Sequence, residues 1–250
     1  MKSNGPITRR RAIIAGLASL GGLALWKTPR ELPPTYGNIL RMGDTFTYAA
    51  QRALLGDALV KEYTLADLTS FPATGTVDPA VMDRSGSADY RRLKDQGFAG
   101  WQLSVEGRVA RARTFSLNEL KALPSRTQIT RHTCEEGWTA IGQWTGVPLS
   151  VVLDAVGLLP SARFVLFRSF DDWTDSIDLL DALHPQTLLA YGMNGRDLPL
   201  AHGAPLRLRV ERQIGYKSMK YLRRIIVTDE FDDGGKDGNI QNGWAWYTGI

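Results

Sequence analysis

A single cysteine, Cys134, occurs in this chain of 250 residues. A disulfide framework within the chain is therefore excluded, and so is a self-contained zinc ribbon, which needs several thiolates. The fold must instead be held together by a hydrophobic core. With 43% hydrophobic and 22% charged residues, the chain has the composition of a globular protein and is long enough to bury such a core.

The first 30 residues contain basic side chains and no acidic ones. Arg9, Arg10 and Arg11 stand directly before an uncharged run over residues 12–26, which is the pattern of a twin-arginine export signal. The run is short for a membrane span, which needs about 20 apolar residues. We predict that residues 1–30 are a twin-arginine signal or an uncleaved membrane anchor. The protein is then exported to the periplasm, either released there or retained at the membrane.

The net charge of +4 comes from this N-terminal segment, because the remaining residues hold slightly more acidic than basic side chains. A general nucleic-acid binder carries its basic charge on the folded body. We therefore predict no nucleic-acid partner.

Residues 31–66 are predicted to form a proline-containing linker followed by a helix over 46–66, and residues 67–250 to form one domain. Its first part, 67–100, has the composition of an irregular segment. The elements predicted beyond it are a hairpin over 102–113, a capped helix over 116–123, a strand over 127–132, a helix over 149–156, a strand over 164–170, a hairpin turning at Asn194-Gly195, and strands over 206–210 and 221–227. Short helices mixed with hairpin-rich strands predict the α+β class.

Cys134 lies where a predicted strand runs into a loop, which is a common position for a functional residue. Arg131 and His132 favour the thiolate, whereas Glu135 and Glu136 oppose it. A thiolate is a soft ligand for a metal ion. The alternative is a buried structural cysteine, which is the more frequent role of this residue type.

A second cluster of basic residues lies near the C-terminal end, over residues 206–224. Arg207 and Arg209 share one face of a predicted strand, and the turn from Gly215 to Lys220 brings backbone N–H groups beside Lys217 and Lys220. Such a combination forms an anion cradle suited to a phosphate. The alternative is a solvated basic face.

Several frequent catalytic patterns are missing from the sequence. A Walker loop, a G-x-G-x-x-G fingerprint, a G-x-S-x-G elbow and an H-E-x-x-H helix are all absent. His132, His184 and His202 are the only histidines. His184 precedes a proline and is interpreted as structural.

The two clusters together resemble the sulfite oxidase family of molybdopterin oxidoreductases, and most of all its exported bacterial branch of methionine-sulfoxide reductases. The resemblance spans roughly residues 100–229 in the family's order. Its motifs are Arg131-x-x-Cys134-x-Glu136-x-Trp138, Trp144-x-Gly146-x-Pro148-Leu149, His184-Pro185-x-Thr187-Leu188-Leu189, Gly192-x-x-Gly195, Gly203-Ala204-Pro205-x-Arg207 and Gly215-x-Lys217-x-x-Lys220.

This resemblance implies a molybdopterin-binding catalytic domain over 67–250 with a sulfite-oxidase-type fold and a bare molybdenum–molybdopterin cofactor. Cys134 is then the molybdenum ligand, Arg207 contacts the pterin phosphate, and the loop of Ser218, Met219 and Lys220 wraps the pterin. Thr74, Ser169 and His202 fall where the family has further cofactor contacts, with Ser169 in place of Thr and His202 in place of Asn. Apart from the resemblance, Arg131 is a candidate catalytic residue, because Arg131 or His132 could polarise the substrate.

The predicted reaction is a two-electron oxygen-atom transfer that reduces an S-oxide or N-oxide of a small molecule. A membrane haem protein or another redox partner supplies electrons, and the chain is expected to be a monomer. Sulfite is disfavoured because the double arginine that follows the cysteine in sulfite oxidases is replaced by Gly137-Trp138. The alternatives are a cysteine-dependent hydrolase or transferase using Cys134 with His202 as base, and a non-catalytic anion- or pterin-binding module.

Overall fold

The structure is a computed structural model that describes residues 42–232, 238 and 243–250. The predicted export segment and the first part of the linker lie outside these residues. The described residues form two compact units. The smaller unit holds helix α1 and residues 247–249, where Gln51 Nε2 donates to the Gly249 carbonyl oxygen at 2.8 Å. The larger unit holds residues 57–246 and Ile250, and contains both sheets.

Helices and strands are interspersed along the chain. The helices are α1 (Met42–Leu55), α2 (Ser87–Asp95), α3 (Leu117–Ala122), α4 (Leu149–Val156) and α5 (Leu179–Ala182). The strands are β1 (Gln102–Gly107), β2 (Arg113–Ser116), β3 (Arg126–Thr133), β4 (Thr139–Pro148), β5 (Phe164–Ser169), β6 (Thr174–Asp178), β7 (Leu188–Met193), β8 (Arg196–Asp197), β9 (Arg207–Arg209) and β10 (Leu222–Thr228). Single 3₁₀ turns lie at Leu65–Asp67, Pro79–Val81, Leu200–His202 and Gly215–Lys217.

Two five-stranded sheets make up the larger unit. The first has the order β2-β1-β10-β5-β6, and only the β1–β10 pair is parallel. The second has the order β3-β4-β7-β8, with β9 also pairing antiparallel with β7. Mixed sheets with short helices confirm the predicted α+β class.

The main hydrophobic core lies against the first sheet and includes helix α4. The four inward residues of that helix, Leu149, Val152, Leu153 and Val156, are fully buried. Burying one such side chain contributes about 1.5–3 kcal/mol. A smaller cluster of Trp144, Leu188, Ala190, Met193 and Leu198 lies on the second sheet, and Phe71 packs against it. This smaller cluster supports one wall of the cavity at Cys134.

Several predicted elements are confirmed. Strands β3, β5, β7 and β10, helix α4 and the turn at Asn194-Gly195 lie where the sequence placed them. Helix α3 has the predicted capping box, because the Glu119 N–H donates to Ser116 Oγ at 3.2 Å and the Ser116 N–H donates to Glu119 Oε2 at 2.8 Å.

Other predicted bounds were wrong. The helix expected over 46–66 ends at Leu55, because Gly56 has a positive φ of 47°. The chain then runs beside β3, with the Tyr63 N–H donating to the Ile129 carbonyl oxygen at 2.8 Å. Glu106-Gly107 belongs to β1 and is not the hairpin turn, and residues 67–100 contain helix α2.

No helix in the described part of the chain is both long and apolar enough to cross a membrane.

Candidate active site

Strand β3 and the loop after it place the cysteine. Side chains alternate along a strand, so Gln128, Thr130 and His132 are buried while Arg131 is exposed on the opposite face. The following loop closes tightly, with the Cys134 N–H donating to the Trp138 carbonyl oxygen at 2.9 Å and the Gly137 N–H to that of Cys134 at 3.1 Å.

Cys134 faces a cavity of about 270 Å³ whose walls come from four distant segments. They are the segment 71–76, the loop after β3, the loop after β5 and the stretch 202–220, with Trp244 at one side. The residues lining the cavity are Phe71, Pro72, Thr74, Gly75, Thr76, His132, Cys134, Glu135, Glu136, Trp138, Asp171, Trp173, His202, Arg207, Gly215, Tyr216, Ser218, Met219, Lys220 and Trp244.

The Cys134 thiol lies between two carboxylates. Its Sγ is 3.4 Å from Glu135 Oε2 and 3.8 Å from Glu136 Oε2, and the residue is only 7% exposed. Burial, followed by the negative charge of Glu135, raises the pKa of this thiol to about 11. The bare thiol is therefore a weak nucleophile, whereas a bound metal cation reverses this balance and favours the thiolate.

Arg207 is a buried cation on the cavity wall. Its Nη1 donates to the His202 carbonyl oxygen at 3.0 Å and its Nη2 to that of Ser218 at 2.8 Å, while Nε has no hydrogen-bond partner. Burial, and then the neighbouring Arg209, lowers the pKa of Arg207 to about 9. The guanidinium is charged at pH 7, and its Nε–H lacks an acceptor.

Lys220 is a second cation on the same wall. Its Nζ donates to the carbonyl oxygens of Thr74 at 2.7 Å, Thr76 at 2.5 Å and Ala201 at 3.0 Å. The ammonium thereby fixes the segment around Thr74. Within the described residues, neither Lys220 nor Arg207 forms an ion pair with a carboxylate. Burial, and then the charge of Arg207, lowers the pKa of Lys220 to about 8.

This lowered pKa predicts a pH-dependent anion affinity. Because the folded-state pKa is about 8, the Lys220 charge is present below that pH and is lost above it. We expect the metal-free protein to bind sulfate about tenfold more weakly at pH 9 than at pH 7, which corresponds to the loss of about 1.4 kcal/mol. Sulfate is the probe because its own charge is constant over this range, and isothermal titration calorimetry measures its Kd.

The matched control for this prediction is Lys220→Arg, which stays charged at both pH values. The pH dependence should become clearly smaller in this variant, and the remainder should come from Arg207, whose pKa of about 9 lies at the upper end of the range. An unchanged pH dependence there would show that another group controls anion binding.

His132 is held by a buried chain of polar side chains. The Glu211 carboxylate accepts from Arg209 Nε at 3.0 Å and Nη2 at 2.8 Å, and Gln128 Nε2 also donates to Glu211 at 3.1 Å. The remaining Arg209 nitrogen, Nη1, lies 2.7 Å from His132 Nδ1. Burial, and then the Arg209 charge, keeps the pKa of His132 far below its usual range, so the ring is neutral.

The His132 ring packs directly against Gly215, so residue 215 has no room for a side chain. A Cβ on residue 215 would lie 2.5 Å from His132 Nε2, and the ring is fixed by Arg209 on its other side. We expect Gly215→Ala to lower the free energy of unfolding by about 1–3 kcal/mol through overpacking. Thermal or urea unfolding measures this, with Gly100→Ala as the control, since a Cβ there meets only ordinary contacts at 3.8 Å or more. Equal stability of the two variants would contradict this packing around His132.

Most of the predicted site residues come together at this cavity. Thr74, Cys134, His202, Arg207, Ser218, Met219 and Lys220 all line it. His202 is half-buried, and burial followed by Arg207 lowers its pKa to about 4, so its ring is neutral.

Two predicted residues lie elsewhere. Arg131 points away from the cavity because it alternates with His132 along β3, and it lines a separate pocket with Lys61 and Tyr63. Ser169 is buried, and its hydroxyl lies within hydrogen-bond distance of the Asp171 carboxylate and, at 2.9 Å, of the Trp173 carbonyl oxygen, so it positions that loop without lining the cavity.

Two basic side chains of the predicted cradle are also turned away. Lys217 is fully buried, and its Nζ donates to Asp175 Oδ1 at 2.7 Å and to the Ser176 carbonyl oxygen at 3.0 Å. Arg209 is neutralised by Glu211. The cradle therefore rests on Arg207 and Lys220.

Sequence reasoning missed the aromatic walls of the cavity. Phe71 contacts the rings of His132, Trp138 and His202 with centroids 5.2–5.6 Å apart, and Tyr216 contacts Trp244 at 5.3 Å. Only Trp138 carried a signal, as part of the motif around Cys134.

These features fit an anionic cofactor with a soft metal. A buried arginine with an unpartnered Nε–H and a partly buried lysine, neither with a carboxylate partner, match a phosphate group. A thiol at the same cavity matches a thiophilic metal. In the described residues, no group of three or more His, Cys, Asp and Glu side chains is placed to hold a metal ion.

Comparison with known proteins agrees with this geometry. Residues 91–235, more than half of the chain, match the family model described as an oxidoreductase molybdopterin binding domain. The chain belongs to this family. The resemblance predicted from the Cys134 and Arg207 motifs is thereby confirmed, and the molybdopterin-binding domain includes most of the residues that line the cavity.

Relatives of this molybdopterin-binding domain include two methionine-sulfoxide reductase proteins. An Azospira oryzae protein, provisionally named protein-methionine-sulfoxide reductase subunit YedZ1, is 41% identical over 157 residues, which are 63% of this chain and 59% of the relative. The protein-methionine-sulfoxide reductase catalytic subunit MsrP of Xanthomonas axonopodis pv. citri is 36% identical over 185 residues, 68% of this chain and 56% of the relative. The chain thus spans between half and three-fifths of the length of the curated relatives it matches.

A solved structure shares the fold. The sulfane dehydrogenase SoxCD from Paracoccus pantotrophus superposes with a TM-score of 0.51 at 24% sequence identity, over 53% of this chain and 39% of that chain. The similarity supports the molybdopterin-binding fold predicted from the sequence.

Proposed function

We propose that this chain reduces an S-oxide to the corresponding thioether by transfer of one oxygen atom. The substrate takes up two electrons and two protons, and the products are the thioether and water. The observation that carries the proposal is the placement of the Cys134 thiol on the same cavity as the buried Arg207 and the partly buried Lys220, two cations that lack carboxylate partners. The names of the relatives favour an S-oxide, such as methionine sulfoxide, over an N-oxide.

The cavity residues divide into a metal ligand and a set that holds an anion. Cys134 would bind molybdenum through its sulfur, and Arg207 and Lys220 would neutralise the pterin phosphate. Thr74, His202, Ser218 and Met219 line the rest of the pterin site. When bound, a bare molybdenum–molybdopterin group supplies two-electron oxidation–reduction and a centre for oxygen-atom transfer.

A cysteine-dependent hydrolase is less well supported. Such an enzyme needs a thiol with a lowered pKa and a base within hydrogen-bond reach. Burial raises the pKa of Cys134 to about 11, and its Sγ hydrogen bonds go to Glu135 and Glu136 rather than to His202.

We propose that a membrane haem protein supplies the electrons for this reaction. The proposed location follows from Arg9 and Arg10 before the uncharged run, which favour export by the twin-arginine route to the periplasm. Either outcome of signal cleavage keeps the enzyme on the same side of the membrane as its partner.

The test is cofactor analysis of the full chain, expressed with its N-terminal segment in a host that makes molybdopterin. We expect about one molybdenum and one pterin per chain, the stoichiometry that a single thiolate ligand implies. The purified protein should reduce N-acetylmethionine sulfoxide when a reduced viologen dye supplies the electrons. Folded protein that contains neither molybdenum nor pterin would refute the proposal and return the hydrolase and the anion-binding module to consideration.

A further inference from the structure

The buried polar chain behind the cavity fixes the position of one proton on His132. An arginine nitrogen carries only donor hydrogens, so His132 Nδ1 must accept from Arg209 Nη1 across their 2.7 Å contact. The ring proton of the neutral imidazole therefore lies on Nε2. Glu211 holds Arg209 through two hydrogen bonds, which fixes the orientation of the guanidinium and, through it, the ring.

The Nε2 edge of the His132 ring lies on the side away from Arg209, next to Gly215, and His132 and Gly215 both line the cavity. No hydrogen bond joins this Nε2 to another group among the described residues. This nitrogen lies beside Gly215, where a Cβ would come within 2.5 Å of it. A Cβ on residue 215 would also lie 3.2 Å from Glu135 Oε2, and this oxygen is 3.4 Å from Cys134 Sγ. The donor edge of His132 and the carboxylate next to the thiol therefore both lie close to Gly215, at the same part of the cavity wall.

We propose that His132 is a fixed hydrogen-bond donor to the oxygen atom of the S-oxide substrate. This rests on the proposed function, because the oxygen that is transferred must approach the metal and hence the Cys134 end of the cavity. A donor aimed at that oxygen stabilises the negative charge that develops on it as the sulfur–oxygen bond breaks. Arg209 and Glu211 are positioning residues that act through His132.

The aromatic surroundings of His132 serve the same purpose. Its ring lies between Phe71 and Trp138, with centroids 5.2 and 5.3 Å away, and the side chain is only 7% exposed. Such packing restricts rotation of the ring and holds its donor edge in one orientation.

The first experiment measures the tautomer directly in the metal-free protein. Two-dimensional ¹⁵N–¹H spectra, which correlate each imidazole nitrogen with the carbon-bound protons of the same ring, distinguish the Nε2–H form from the Nδ1–H form. The signals that disappear in His132→Gln are assigned to His132, one of three histidines in the sequence. We expect a single neutral Nε2–H form at pH 7. In the double variant Arg209→Met/Glu211→Gln, which removes both members of the buried pair, the Nδ1–H form should become populated. A wild-type Nδ1–H form would overturn the proposal.

The second experiment uses the cofactor-loaded enzyme and N-acetylmethionine sulfoxide, with rates expressed per bound molybdenum. His132→Met, which removes the donor, should lower kcat/KM about 100-fold, mostly through kcat. His132→Gln, which keeps an acceptor for Arg209 and an N–H donor, should recover about tenfold of that loss. His184→Gln is the matched control, because His184 is a buried histidine that contacts the Ala58 carbonyl oxygen away from the cavity.

The outcomes separate this inference from the function on which it rests. If the wild-type loaded enzyme reduces no sulfoxide, the proposed function and the substrate role of His132 both fail. If it reduces sulfoxide and His132→Met is as active as the wild type, only the role of His132 fails.

Discussion

Cys134→Ser is expected to abolish molybdenum retention and to lower the rate of sulfoxide reduction by more than about 100-fold. Loss of a residue that only orients a metal ligand already lowers metal affinity or activity by about 10–100-fold, and loss of the ligand itself should have a larger effect. The hydroxyl of serine is a much poorer donor to a thiophilic metal than a thiolate. The substitution is nearly isosteric and lies in a loop closed by backbone hydrogen bonds, so the fold should persist. Metal analysis and the viologen-coupled assay measure the effect.

The control for the cysteine variant is its affinity for sulfate, which reports whether the anion site is intact. Sulfate affinity of the metal-free Cys134→Ser protein should match that of the wild type, since Arg207 and Lys220 are unchanged. A variant that still binds molybdenum and reduces sulfoxide would remove Cys134 from the metal site.

The parts of this site that could be predicted from the sequence are those defined by short local motifs. Alternation along β9 placed Arg207 and Arg209 on one face, and both guanidinium groups lie over the Trp144 ring, at 5.0 and 4.4 Å from its centroid. Glu211 forms an ion pair with Arg209 and not with Arg207, so of the two only Arg207 is left to bind an anion. The motif around Cys134 likewise identified the thiol, because a strand followed by a polar loop is recognisable from a short segment.

The failures arise where partners are distant in the chain. Lys217 was predicted to face an anion, but Asp175, 42 residues away, binds its ammonium group. The segment around Thr74 reaches the cavity because Lys220, 146 residues later, binds its carbonyl oxygen. Such pairings depend on the packing of the two sheets, which no local pattern encodes.

Arg131 shows a different kind of error, in which the decisive local pattern was present. A period of two along β3 assigns neighbouring residues to opposite faces, so His132 and Arg131 cannot both face the cavity. The buried series Gln128, Thr130 and His132 continues to Cys134, and it places His132 rather than Arg131 beside the thiol. Of the two residues that the sequence offered for polarising the substrate, His132 therefore lines the cavity and Arg131 does not.

Methionine in place of Arg207 should weaken the binding of sulfate to the metal-free protein about 100-fold, because hydrogen bonds to charged groups contribute about 1.5–3 kcal/mol each. The same change should leave purified protein with little pterin. Arg207→Lys keeps the charge but loses the unpartnered Nε–H and the planar geometry, so its sulfate affinity should fall between those of the wild type and Arg207→Met.

The matched control for Arg207 is Arg224→Met, which removes a positive charge from the same stretch of sequence. Arg224 is half-exposed and lies 3.4 Å from Glu106, away from the cavity. Sulfate affinity should be unchanged in this variant at physiological ionic strength, where charges more than about 8 Å apart at the surface are largely screened. If Arg224→Met and Arg207→Met weakened sulfate binding equally, net charge would control it; unequal effects would assign the anion site to the buried guanidinium on the cavity wall.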